Sequence, residues 1–142
     1  MVVYAESSAV LAWLFGESQA RTIRSILKKA TLVVASELTL IECDRVLIRS
    51  VALGEITERF ALGRRSRLHA SAAHWNLLRI APEVVARARR PFPVEPVRTL
   101  DALHLASAVL VDSAADDFAV LTLDERIRTN AVELGLPVRP TP

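Results

Sequence analysis

Two kinds of segment alternate along the chain. Short continuous apolar runs, Val2 to Ala5, Thr31 to Ala35, Leu77 to Ile80 and Phe118 to Thr122, have the length and β-branched content of buried strands. Between them lie longer segments whose apolar residues recur every three or four positions, as on a helix face. Ala9 to Phe15 is the first, with Ser7 and Ser8 as candidate caps and Gly16 as its stop. Ser18 to Ala30 follows, with Ile23, Ile26 and Leu27 on one stripe. Ser36 heads a long helix to about Val51, which Gly54 closes; Leu38, Ile41, Val46 and Leu47 share a face there. Glu55 to Ala73 is predicted helical, and Pro82 suits the first turn of a helix ending near Arg90. Three prolines in Pro91 to Pro96 force a loop. Helices are then predicted from Thr99 to about Val111 and from Asp124 to Leu134, with Gly135 at the end and at most a short edge strand at Pro137-Val138.

Continuous rather than alternating strands, each followed by helix, predict a parallel sheet covered on both faces. The expected architecture is a three-layer α/β/α sandwich with a central, mostly parallel sheet, built as one domain over residues 1–142. Composition agrees: 51% of residues are hydrophobic and mean hydropathy is +0.30, enough for a true core. No apolar run approaches a membrane span, and no signal peptide is expected. A single cysteine, Cys43, closes no intrachain disulfide and supports no cysteine-based zinc site, which suits a reducing cytoplasm.

The net charge is +2, and all but two of the 18 basic residues are arginine. The guanidinium fork suits phosphate, although a genome rich in arginine codons produces the same bias. Arg64, Arg65 and Arg67, and Arg87, Arg89 and Arg90, are candidate contacts to a nucleic-acid backbone or simply solvated helix faces. Trp13 and Trp75 are candidates for base stacking or for packing.

Sites in an open α/β sheet form beyond the carboxyl ends of the strands. Glu6 directly follows the first strand, and Asp124 follows the Phe118 to Thr122 strand. Glu42 lies in the helix after the second strand, and Asp101 in the first turn of its own helix. Each acid also has a structural reading. Asp101 answers the helix dipole, Asp124 accompanies a Thr122–Glu125 capping box, and Glu42 pairs with Arg45 along its helix. Glu6 alone lacks an obvious solvent reason. Four carboxylates at one point are tolerable only around positive charge. Hard oxygen ligands select Mg²⁺ or Mn²⁺, which can deprotonate a bound water and stabilise charge on a phosphate. The reaction class that follows is metal-assisted phosphodiester hydrolysis.

Four phrases occur in order: Tyr4-Ala5-Glu6-Ser7-Ser8-Ala9-Val10-Leu11, Ser36 to Glu42, Leu100 to Ala106 (Leu-Asp-Ala-Leu-His-Leu-Ala), and Leu121 to Arg126. Together they resemble a PIN domain, specifically a VapC-type ribonuclease toxin, over nearly the whole chain. The resemblance implies a Mg²⁺- or Mn²⁺-dependent endoribonuclease that cuts RNA by metal-activated water, forms homodimers and is held inactive by a cognate antitoxin. It assigns Glu6, Glu42, Asp101 and Asp124 to the acidic metal site. Ser8 is the hydroxyl beside the first acid, there to orient a carboxylate or to cap the helix, and Thr122 has the same two roles open to it. His104 shares a helix face with Asp101 and reads as a hydrogen-bonded core histidine.

One departure matters: the family's first acid is usually aspartate, and here it is Glu6. A longer arm must fold back or bind through water to satisfy Mg²⁺. Two alternatives therefore stand beside the toxin. One is a PIN-like module that binds RNA or protein without cutting. The other is a phosphoacceptor receiver, disfavoured because neither lysine lies near the last strand.

Overall fold

The structure, a computed structural model, describes residues 1–142. Its elements run β1 (Val2–Ala5), α1 (Ser7–Phe15), α2 (Ala20–Lys29), β2 (Leu32–Ser36), α3 (Glu37–Ala52), α4 (Glu58–Ala72), β3 (Asn76–Leu78), α5 (Pro82–Ala88), α6 (Thr99–Ala114), β4 (Phe118–Leu121), α7 (Glu125–Glu133) and β5 (Val138–Arg139). The five strands form one sheet in the order β3-β2-β1-β4-β5, and every pairing is parallel. The expected architecture is present, with the sheet wholly rather than mostly parallel.

The continuous strand pattern has the expected cause. Alternate strand residues feed two apolar clusters. Val3, Ala5, Val33, Ala35 and Leu121 join α1 residues such as Val10 and Leu14 on one face. Tyr4, Val34, Phe118, Val120 and Val138 join Leu105 of α6 and Ile127 of α7 on the other. No polar face remains on the inner strands, so the polar positions move to the strand ends.

Chain order reverses between β1 and β4, the topological switch point where α/β ligands bind. Register sets the site there. Ala5 pairs with Leu121, and the Glu6 amide donates to the Leu121 carbonyl at 3.0 Å. Residue 6 therefore emerges beside residue 122.

Several boundaries differ from expectation for local reasons. The N-cap of α1 is Glu6 rather than either serine, its carboxylate accepting from the Ser8 amide. The cap of α4 is Thr57, two residues after the predicted start, and its hydroxyl accepts from the Phe60 amide. Asp124 stands outside α7 as its N-cap, so the expected Thr122–Glu125 box does not form. Gly16 does close α1, with φ of +66° where a side chain is strained.

Candidate active site

The carboxyl edge at the switch point holds two linked polar networks. In the first, Glu6 is only 4% exposed. Its Oε2 accepts from the Ser8 amide at 3.1 Å, from the Ser8 hydroxyl and from the Thr122 hydroxyl at 2.8 Å. Thr122 Oγ1 also accepts from the Asp124 amide at 3.1 Å, and Ser8 Oγ accepts from the Leu123 amide at 2.9 Å. Glu6 and Asp124 thus meet on one threonine because β1 and β4 are in register. Asp124 Oδ1 accepts from the Arg126 and Ile127 amides at 2.9 and 3.0 Å. The Ser8 and Thr122 hydroxyls both donate to the Glu6 carboxylate, and the caps of α1 and α7 are the acids Glu6 and Asp124.

The second network centres on Glu42. Its Oε1 accepts from the Ser7 hydroxyl at 2.8 Å and lies 2.5 Å from His104 Nε2. His104 is 1% exposed, and its Nδ1 lies 2.8 Å from the Tyr4 hydroxyl. Burial pushes the Tyr4 phenol far above its ordinary range, so it stays protonated. The imidazole is bracketed by the Tyr4 hydroxyl at one nitrogen and the Glu42 carboxylate at the other. The Glu42–Arg45 pair does not form; a buried imidazole and a hydroxyl offer the carboxylate more than an exposed arginine does.

Asp101 is 7% exposed at the start of α6, where Arg98 reaches both its oxygens, Nε to Oδ2 at 2.9 Å and Nη2 to Oδ1 at 3.5 Å. Arg98 also feels the charges of Asp124 and Glu42. The positive charge that makes this gathering of acids tolerable is therefore partly supplied by the protein.

Burial pushes the Glu6 carboxyl up, against the pull of His104, Ser8 and Thr122. Burial pushes Glu42 up as well, but the bond and charge of His104, then Ser7 and Arg98, outweigh it and hold Glu42 below the ordinary range. Glu6 Oε1, Glu42 Oε2 and Asp124 Oδ2 take no hydrogen bond from the protein. In this arrangement no three Asp, Glu, His or Cys side chains are grouped to hold one metal ion. Ser7, Tyr4 and Arg98 belong to the site although the motifs did not single them out for it. Only Arg98 carried a signal, its spacing of three from Asp101.

The candidate arginines divide. Arg64 lies over Phe60 at 4.5 Å, Arg67 over Trp13 at 4.8 Å, and Arg65 pairs with Asp44 at 3.3 Å, so the three turn to different partners around α4. Arg87 lies over Phe92 at 4.2 Å and donates to the Arg90 and Pro91 carbonyls, tying down the proline loop. Arg89 and Arg90 are exposed.

Solved structures of toxins and toxin–antitoxin complexes are among those that share the fold. VapBC2 from Rickettsia felis, bound to a DNA fragment from its promoter, superposes with a TM-score of 0.65 at 8% identity, covering 98% of both chains. VapC20 of Mycobacterium tuberculosis, a sarcin–ricin-loop-cleaving toxin, gives 0.61 at 13% identity over 89% of this chain and 93% of that one. A toxin–antitoxin complex from Klebsiella pneumoniae gives 0.59 at 14% identity over 86% of each. No curated protein sequence matches the chain. The family model for the PIN domain matches residues 3–133, a span that contains both networks and all four acids, and the chain belongs to the PIN domain family.

Proposed function

We propose that this PIN domain is a Mg²⁺- or Mn²⁺-dependent endoribonuclease, the toxin of a toxin–antitoxin pair. The observation that carries the reading is that Glu6, Glu42, Asp101 and Asp124, from four separate parts of the chain, share one edge at the sheet's switch point. The donor set suits a hard cation: it is all oxygen, and the buried Cys43 thiol, pushed by its burial up to about 12, is no ligand. Glu6, Glu42 and Asp124 each keep an uncommitted oxygen and would hold the ion once their side chains turn toward one another, joined by Asp101 once Arg98 releases it. An ion bound there would supply an activated water and offset charge building on phosphate. His104 and Ser7 aim Glu42, Ser8 and Thr122 aim Glu6, and Arg98, largely exposed, is free to exchange Asp101 for an RNA phosphate.

A protein antitoxin and a second copy of the chain are the proposed partners. Supporting both are the toxin–antitoxin assemblies among the structural relatives and the exposed apolar side chains Ile41, Ile48, Leu53, Leu62 and Leu100. No helix is long and apolar enough to cross a membrane, and a cytoplasmic location is proposed from the single unpaired cysteine.

The test is cleavage of labelled RNA by metal-stripped protein with Mn²⁺ or Mg²⁺ added back. Asp101→Asn and Glu42→Gln are expected to lower the rate by about 10²-fold or more. Cleavage at the parent rate in both variants overturns the reading. A second reading, a module that binds RNA without cutting it, is favoured by one observation: Glu6 is buried under three protein donors. It predicts salt-sensitive RNA binding and no cleavage with either metal.

A further inference from the structure

The helices around Trp13 form a second candidate site at the opposite end of the molecule. Helix α1 starts at the carboxyl edge and runs back across the sheet, so Trp13, near its end, lies toward the amino edge. Helices α2 and α4 lead into β2 and β3, so their last turns reach the same edge. There Trp13, Arg24, Lys28, Arg67 and Trp75 are among the residues lining a pocket of about 460 Å³.

Three features separate this pocket from ordinary packing. No acidic residue lines it, and none of Arg24, Lys28 and Arg67 forms an ion pair anywhere in the fold. Arg24 and Lys28 are exposed and four apart, so they project from one face of α2. Trp13 is 7% exposed, yet its indole N–H donates to nothing, an unpartnered polar group that a leucine or phenylalanine would avoid. Cations without counter-ions around two indoles match a ligand that is both polyanionic and aromatic.

We propose that this pocket is an exosite for single-stranded RNA, with a base stacked on Trp75 and the flanking phosphates on Arg24, Lys28 and Arg67. The inference rests on the ribonuclease reading for the identity of the strand, but the binding is measured apart from cleavage. A strand held here lies across the molecule from the acids, so the exosite recruits or positions long RNA rather than the scissile bond.

The chain has two tryptophans and both line this pocket, so its intrinsic fluorescence reports on the site directly. The full chain would be titrated with a short, uncleavable 2′-O-methyl oligouridylate. Saturable quenching is expected. Replacing both Arg24→Ala and Lys28→Ala should weaken binding roughly tenfold and reduce the slope of log affinity against log salt by about 1.4. Trp75→Leu should weaken it as well, and Trp75→Phe should restore it. Inorganic polyphosphate, which lacks bases, should not quench. Absence of saturable quenching, undiminished binding by the double variant, or equal quenching by polyphosphate overturns the exosite. Quenching by a chain that cleaves no RNA leaves the exosite standing and removes only the nuclease reading.

Discussion

Glu6 and Glu42 carry the same functional group in opposite surroundings. Burial dominates at Glu6 and raises its pKa; the His104 bond and charge prevail at Glu42 and lower it. Linkage gives the two groups opposite signs. The contribution of Glu6 to stability is full below the ordinary carboxylate pKa of about 4.3 and is lost as pH rises through its raised folded value. The contribution of Glu42 is full above that ordinary value and is lost as pH falls through its depressed folded value. With chelator present, Glu6→Gln is therefore expected to raise Tm at pH 7, the gain fading in acid. Glu42→Gln is expected to lower Tm at pH 7, that loss also fading in acid. Thermal melts from pH 3 to 8 check this, and shifts of the same sign at neutral pH would contradict it. Glu6 was conspicuous in the sequence because an acid between two apolar segments needs a reason. The partner of Glu42 was not legible, because His104 lies 62 residues away and Arg45 lies within the same turn.

At the scale of the element, one side chain serves two purposes at the start of α7. Asp124 Oδ1 caps the helix through two amides, while Oδ2 is uncommitted. Asparagine preserves the cap and removes the charge; alanine removes both. Asp124→Asn should hold stability within about 0.5 kcal/mol of the parent, whereas Asp124→Ala should cost about 1 kcal/mol. Both should lose cleavage. Denaturant melts beside RNA assays separate the roles: an Asn variant that cuts like the parent leaves Asp124 a cap and nothing more. Element type and order were legible throughout, since short continuous apolar runs mark the buried strands and a period of three to four marks the helices. Caps were legible where the hydroxyl stood alone before a helix, as at Ser36, whose oxygen accepts from the Leu38 amide. They were not at Glu6-Ser7-Ser8, where three capping residues compete and tertiary bonds to Glu42 and Thr122 decide among them.

For the whole molecule, the four acids stand on one edge of the sheet, where a bound divalent cation would stabilise the folded chain. Arg98 neutralises Asp101, but Glu6, Glu42 and Asp124 keep free oxygens on the same edge. Metal that binds only the folded chain stabilises it by mass action, about 2.7 kcal/mol at a hundredfold excess over Kd. Mn²⁺ should therefore raise Tm by several degrees, more in Arg98→Ala, where Asp101 is free, and less in Asp101→Asn. A Tm indifferent to Mn²⁺ in all three proteins would favour the non-cutting module. The sequence by itself determined the alternation of strand and helix, the two-faced burial of the strands and the placing of two acids, Glu6 and Asp124, just beyond strand ends. All of these follow from periodicity and composition, which act over a few residues. Only the tertiary structure decided the strand order, the register that sets Glu6 beside Thr122, the Tyr4–His104–Glu42 relay and the meeting of both tryptophans with Arg24, Lys28 and Arg67. Those contacts join residues as many as 116 positions apart, and no local propensity distinguishes among the partners such residues can find.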